Sequence, residues 1–83
     1  MAYTYRTSGT CSSQINFELD GDIIRNVQFL GGCHGNLQGI SALVRGMDAR
    51  EAISRLKGIC CGYKDTSCPD QFARNLERVL VQQ

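Results

Sequence analysis

Three of the five cysteines in this chain fall within nine residues, in the stretch ICCGYKDTSCPD that begins at Ile59. Thiolates bind zinc and iron–sulfur clusters, and they also exchange disulfides and act as nucleophiles. Cys68 directly follows Ser67, which with Asp70 fits the S-x-x-D pattern typical of a helix start. Because the N-H groups and the dipole at a helix N-terminus favour a thiolate, we predict that Cys68 is the foremost ligand or nucleophile.

The remaining thiols are weaker candidates when each is considered alone. Cys60 and Cys61 are neighbours, and a disulfide between adjacent residues would be strained, so each is either a ligand or a small buried hydrophobe. His34 follows Cys33 and could bind a metal or act as the base of a Cys/His pair. Adjacent side chains usually point apart, however, so His34 is alternatively a solvent-facing loop residue. Cys11 is the remaining candidate ligand.

Alternating apolar residues predict the strands that would position Cys11 and Cys33. AYTYRT at 2–7, QINFELD at 14–20 and DIIRNVQFL at 22–30 each place apolar side chains on one face. Asp20 and Gly21 form a DG dipeptide, which is a strong hairpin signal. Residue numbers across such a hairpin sum to about 41, which places Cys11 opposite Leu30. Cys33 follows three residues later, so both thiols are expected at the open end of the hairpin.

Helical spacing follows in the second half of the chain. A first helix is predicted to end at Gly46, a second to run from an N-cap at Asp48 to Gly58, and a third to begin at Ser67. We therefore predict one α+β domain over residues 1–83, in which a three-stranded antiparallel sheet is followed by three helices packed on one face. The apolar positions of the three predicted helices are, in order, Leu37, Ile40, Leu43 and Val44; Ala49, Ala52, Ile53 and Leu56; and Phe72, Leu76, Val79 and Leu80.

Composition argues against several function classes. Nine basic and eight acidic residues leave a net charge of +1, and no aromatic platform accompanies the arginines, so we expect no nucleic-acid binding and solvated arginine faces. No segment has the roughly 18 consecutive apolar residues that a membrane span needs. We expect a soluble cytoplasmic protein, in which thiols stay reduced and a disulfide framework is disfavoured. The chain has no C-x-x-C pair, and GGCHGNLQG lacks the spacing and the lysine of a P-loop.

Taken together, these motifs resemble the TSCPD domain family. The resemblance covers nearly the whole chain, through Cys11, GGCHGN at 31–36, V-x-G at 44–46, ICCG at 59–62 and TSCPD at 66–70. That family also occurs as the C-terminal domain of adenosylcobalamin-dependent ribonucleotide reductases. The resemblance implies a ribonucleoside-diphosphate reductase label, but 83 residues cannot hold a reductase barrel. We therefore expect an accessory part that is not catalytic alone.

The order of elements is also similar to the U-type iron–sulfur cluster assembly scaffolds. In those proteins three cysteines converge on a cluster or zinc site, which the resemblance maps to Cys11, Cys33 and Cys68. The scaffolds have an aspartate where this chain has Ser13 and a histidine where it has Ser67.

The sequence thus predicts a small metal-binding accessory domain that holds zinc or an iron–sulfur cluster. The fourth ligand would come from Cys60 or Cys61, or from His34. One alternative is a thiol redox component that exchanges disulfides with a ribonucleotide reductase. Another is a structural interaction domain with buried thiols. The expected partner is a ribonucleotide reductase or another protein, and a homo-oligomer is compatible with the sequence.

Overall fold

Three strands are followed by three helices along the chain, so the predicted α+β fold is confirmed. The computed structural model describes residues 2–6, 12–31, 34–60 and 66–82, without the side chains of Ser12, Ser13, His34 and Gln82. The elements are β1 (Ala2–Arg6), β2 (Ser12–Asp20), β3 (Ile23–Gly31), α1 (His34–Val44), α2 (Ala49–Leu56) and α3 (Cys68–Gln82). A helix able to span a lipid bilayer is not found among the described residues.

The sheet is antiparallel in the order β1-β2-β3, and its core face follows the predicted alternation. Ile15, Phe17 and Leu19 on the central strand are all buried on this face. All three helices cover it, because each contributes buried side chains to the same cluster. These are Val44 from α1, Ala49 and Ala52 from α2, and Phe72, Leu76 and Val79 from α3.

Aromatic contacts hold α3 against the sheet. Phe72 is fully buried and meets the rings of Phe17 and Phe29 edge-on, with centroid distances of 5.5 and 6.0 Å. Tyr3 and Tyr5 of β1 stack on the same Phe17 ring at 5.3 and 5.8 Å. Edge-to-face and stacked pairs add stabilisation beyond the area they bury, so Phe17 joins the edge strand to the helix through one side chain.

The hairpin turn differs from the prediction by one position. Asp20 pairs with Ile23, so the two loop residues are Gly21 and Asp22. Gly21 has φ of 62°, and glycine at the first loop position is a preference of tight hairpin turns. Leu19 pairs with Ile24 whereas Glu18 pairs with Asn26, so Arg25 is an extra residue that forms a bulge in β3.

This bulge and a second one at Ser13 change two predictions. Because Arg25 is inserted, Ile24 is buried in the core, whereas Ile23, which strict alternation with Val27 and Phe29 would place on that face, is only half-buried. The predicted pairing of Cys11 with Leu30 is wrong, since Leu30 pairs with Gln14. The last described pair of the hairpin is Ser12 with Gly31. A hairpin signal fixes the turn region but not bulges, and each bulge shifts the register by one residue.

The helix ends agree with the sequence. Asp48 caps α2 by accepting a hydrogen bond from the Arg50 N-H at 2.8 Å, and Gly46 and Gly58 have the positive φ typical of residues that follow a helix. The connection between α1 and α2 also pairs with the start of β3, through Ile24 N-H to Met47 O at 2.9 Å. Leu43 departs from the expected apolar stripe, since its exposed fraction is 76%.

Two leucines test this division between core and surface with the same substitution. Leu76→Ala should lower the free energy of unfolding by about 2–5 kcal/mol, because Leu76 is fully buried in the α3 stripe. Leu43→Ala should change it by less than about 0.5 kcal/mol, because Leu43 is exposed. Urea unfolding followed by circular dichroism measures both values, and equal losses would contradict the assignment of Leu43 to the surface.

Candidate functional site

The TSCPD pentapeptide forms the start of α3, and its serine is the cap. The Ser67 Oγ accepts a hydrogen bond from the Asp70 N-H at 3.1 Å, and the Ser67 carbonyl accepts the first helical bond from Gln71. The predicted S-x-x-D cap is therefore confirmed for the serine. The same hydroxyl donates to the Ile59 carbonyl at 2.6 Å, so the cap also binds the segment that follows α2.

The aspartate of the motif is a fully buried carboxylate with three different donors. Asp70 Oδ1 accepts from the Gly58 N-H at 2.6 Å, and Asp70 Oδ2 accepts from the Thr66 hydroxyl at 2.6 Å. The Arg74 Nε, one turn further along α3, lies 2.9 Å from Oδ2. We call this group of Asp70, Gly58, Thr66 and Arg74 the Asp70 clamp. It differs from a standard capping box, in which the acidic side chain would bind the backbone of the cap residue.

The hydrogen bonds of the clamp offset the desolvation of the Asp70 carboxylate. Burial raises the pKa of Asp70, but the hydrogen bonds from Thr66, Gly58 and Arg74 and the charge of Arg74 lower that pKa by more, so it lies below its usual value. The carboxylate is consequently the stable form in the folded protein. No buried side-chain nitrogen or oxygen atom in the described part of the chain lacks a hydrogen-bond partner.

A consequence of the clamp is that both ends of one segment meet at the same carboxylate. Gly58 and Thr66 are eight positions apart in the sequence, yet both donate to Asp70. A second tie, from Ser67 Oγ to the Ile59 carbonyl, runs beside the first. The segment between them includes Cys60 and Cys61. Gly58 and Ile59, which precede Cys60, are thereby tied to the first turn of α3.

Two of the predicted site cysteines lie among the described residues. Cys68 is the first residue of α3 and only 3% exposed, whereas Cys60 is exposed with its Sγ 3.6 Å from the Gly58 carbonyl. No disulfide joins these two described cysteines. Cys60 and Cys68 each directly follow one member of the hydrogen-bonded pair formed by Ile59 and Ser67. The two thiols therefore belong to adjoining backbone segments, one facing the interior and one facing solvent.

The other predicted ligands fall outside what can be compared with the structure. Cys11, Cys33 and Cys61 lie outside the described residues, as does the side chain of His34, whose backbone begins α1. Within residues 2–6, 12–31, 34–60 and 66–82, no group of three or more His, Cys, Asp or Glu side chains is arranged to hold a metal ion. The four-ligand site therefore stays a prediction.

One ring contact joins the first half of α3 to the second half of β3. Cys68 and Phe72 are both buried and lie about one helical turn, roughly 6 Å, apart along α3. Phe72 contacts Phe29, and Gly31 follows two residues later, about 7 Å along β3. Gly31 is paired with Ser12.

Sequence reasoning missed the burial of Asp70 and its bond to Arg74. We expected Arg74 on a solvated face, and its side chain is indeed 55% exposed, but its guanidinium reaches back to the buried carboxylate. The available signal was the spacing of Asp70 and Arg74, since residues four apart on a helix are neighbours. That spacing could not reveal burial, because the other groups that bind the Asp70 carboxylate belong to Gly58 and Thr66, which precede α3.

Comparison with known proteins agrees with the motifs that the structure places at the start of α3. The family model described as the TSCPD domain matches residues 2–80, which is nearly the whole chain. No curated protein and no solved structure matches the chain.

The double role of Ser67 predicts a measurable loss of stability. Ser67→Ala removes the cap of α3 and the donor to the Ile59 carbonyl, and it should lower the free energy of unfolding by about 1–2 kcal/mol. Ser54→Ala is a matched control, because Ser54 is exposed and donates only to Glu51 O within α2. It should change the value by no more than about 0.5 kcal/mol. Similar effects in urea unfolding would contradict the role of Ser67.

Proposed function

Because the chain belongs to the TSCPD domain family, we propose that it is a small metal-binding accessory domain whose central ligand is the thiolate of Cys68. Cys11 and Cys33 are the proposed second and third ligands, and Cys60 or Cys61 is the fourth, with His34 as the remaining candidate. The accessory role rests on the resemblance to ribonucleotide reductase C-terminal domains, and a ribonucleotide reductase is the partner we propose.

The observation that carries this proposal is that the residues at 66–70 have different structural roles. Thr66 and Asp70 form the clamp, Ser67 caps the helix, and Pro69 occupies the first turn, where proline is well tolerated. These four residues are explained by the folding of the helix start. Cys68 is buried at the first position of α3, and its thiol is the one side chain of the motif that suits a soft metal ion.

The hairpin supports a shared site for the three cysteines. Cys11 directly precedes Ser12, and Cys33 is two residues beyond Gly31, the partner of Ser12. Chain connectivity therefore limits both cysteines to within one or two Cα steps, about 4–8 Å, of a single paired position. The contact of Phe72 with Phe29 supports this arrangement, because Phe72 lies one turn beyond Cys68 and Phe29 lies two residues before Gly31.

The donor set favours a soft metal centre. Three or four thiolates suit tetrahedral zinc or an iron–sulfur cluster, and zinc is the first choice because it needs no redox partner. When bound, zinc would cross-link the hairpin end to α3, and in a chain of 83 residues that binding contributes to folding free energy. We favour a resident metal over a cluster that is passed on. Position 67 has a serine whose hydroxyl makes two hydrogen bonds within the fold, whereas the U-type scaffolds have a histidine there.

Elemental analysis and a visible spectrum of protein purified without oxygen test the proposal. We expect close to one equivalent of zinc, or an iron–sulfur spectrum, in the wild-type chain. Cys68→Ser should lose the metal and lower the melting temperature, because serine has nearly the same size but is a poor ligand at neutral pH. Cys11→Ser and Cys33→Ser should do the same, and combining either with Cys68→Ser should add nothing further.

Cys60→Ser and Cys61→Ser provide an internal control. Only one of them is expected to weaken metal binding, and the other should behave as the wild type does. Less than about a tenth of an equivalent of any transition metal, together with unchanged melting of Cys68→Ser, would contradict the proposal and favour buried thiols. A single reversible disulfide between Cys11 and Cys33 in metal-free protein would instead favour the redox alternative.

A further inference from the structure

The outer edge of β3 is only partly covered by the rest of the described chain. β3 pairs with β2 along one side. On its other side the Ile24 N-H donates to Met47 O at 2.9 Å, and the Ile24 carbonyl accepts from the Gly46 N-H at 2.7 Å. Beyond Ile24, no backbone hydrogen bond between described residues joins Val27 or Phe29 to a segment other than β2. An unpaired strand edge can accept a further strand, and this edge already pairs with another segment at Ile24.

A groove, which we call the edge groove, lies between this open edge and α1. Its cavity of about 360 Å³ contacts Val27, Gln28 and Phe29 on one side. Successive side chains of a strand point to opposite faces, so a cavity that touches three consecutive residues follows the edge of the strand. The other side includes Leu37 and Arg45, which are about two helical turns apart. The groove is therefore about 12 Å long and fits about three or four residues of an extended chain.

Arg45 gives one end of the edge groove a positive charge. Within the described part of the chain, no hydrogen bond or ion pair engages its guanidinium. The other described basic side chains, apart from Arg6, do have partners: Arg78 lies over the Tyr5 ring, and carboxylates bind Arg25, Arg50, Arg55, Lys57 and Arg74. No aspartate or glutamate is among the described residues that line the groove. A carboxylate is therefore the group that this end of the groove complements.

The end of the groove at Arg45 is also where the open edge stops. α1 runs antiparallel to β3, because it follows the end of β3 and is itself followed by Gly46, which bonds to Ile24 at the start of β3. A strand that pairs antiparallel with residues 27–29 would direct its carboxyl end toward Arg45. It could not continue further, because Gly46 and Met47 already occupy the edge at Ile24. A chain that ends at this point presents its α-carboxylate to Arg45.

We infer that the edge groove binds the C-terminal segment of a partner protein as an added antiparallel strand, with the α-carboxylate of the partner at Arg45. The bound segment pairs with the backbone of Val27 and Phe29. Its side chains on the core side of the sheet are apolar, since Val27, Phe29 and Leu37 line that side of the groove. The inference does not depend on a bound metal, so the metal content of the protein leaves it unchanged.

Two hexapeptides with free C-termini, GSTVTV and GSVTVT, are the probes, because together they place the apolar side chains in both possible alternations. At least one of them should shift the amide NMR signals of residues 27–29 and of the groove side of α1 when added to isotope-labelled protein. The same peptide with a C-terminal amide should bind at least about 3-fold more weakly, because it lacks the charge that Arg45 complements. Unchanged signals with both peptides at millimolar concentration, or equal affinity for acid and amide, would overturn the inference.

Arg45→Gln and Arg6→Gln form a matched pair. Both arginines are exposed and have no carboxylate partner among the described residues, but Arg6 lies in β1 at the opposite edge of the sheet. Arg45→Gln should lose the preference for the free acid over the amide, whereas Arg6→Gln should keep it. A preference that survives in Arg45→Gln, or that both variants lose equally, contradicts the placement of the carboxylate at Arg45.

Ala42→Glu and Leu43→Glu test the groove from α1, and they decide the matter if Arg45→Gln does not fold by circular dichroism. Both positions are exposed and receive the same charge, but only Ala42 lines the edge groove. Ala42→Glu should bind the free-acid peptide at least about 3-fold more weakly than Leu43→Glu, because its carboxylate repels that of the peptide. Equal affinities would overturn the inference. A wild-type dimer in sedimentation that Ala42→Glu abolishes and Leu43→Glu keeps would also overturn it, since the edge would then bind a second copy of this chain.

Discussion

The buried carboxylate of Asp70 is the constraint on which the start of α3 depends. An ionised group without partners in the interior would destabilise the fold by several kcal/mol. The Gly58 N-H, the Thr66 hydroxyl and Arg74 therefore have to stay in place whenever the domain is folded. Gly58 lies just after α2 and Thr66 just before α3, so the carboxylate also ties the end of α2 to the start of α3.

Aromatic contacts hold the part of α3 that follows Asp70 against the sheet. Phe72 lies two residues beyond Asp70, and it meets Phe17 and Phe29 on the core face of the sheet. The first two turns of α3 are thus held from two directions, by polar bonds to the preceding segment and by apolar contacts to β2 and β3. Neither set of contacts requires a cysteine.

How much could be predicted from the sequence depended on whether a feature is local. The strands, the N-cap at Asp48 and the cap at Ser67 follow from side-chain periodicity and short capping patterns, which involve residues a few positions apart. The bulge at Arg25 and the burial of Asp70 were missed, because one depends on pairing between strands and the other on a segment that returns from α2. The predicted convergence of the cysteines would also depend on contacts of this second kind.

Burial alone does not tell a ligand from a small hydrophobe, because thiols of both kinds are shielded from solvent. What separates them is whether the fold supplies further thiols at the same point. Cys68 faces the interior at the end of α3 that lies beside Phe29, while Cys60 is exposed on the segment tied to Ser67. The hydrogen bonds of Ser67 and Asp70 join nitrogen and oxygen atoms, so replacing Cys68 by serine tests the thiol while those bonds are kept.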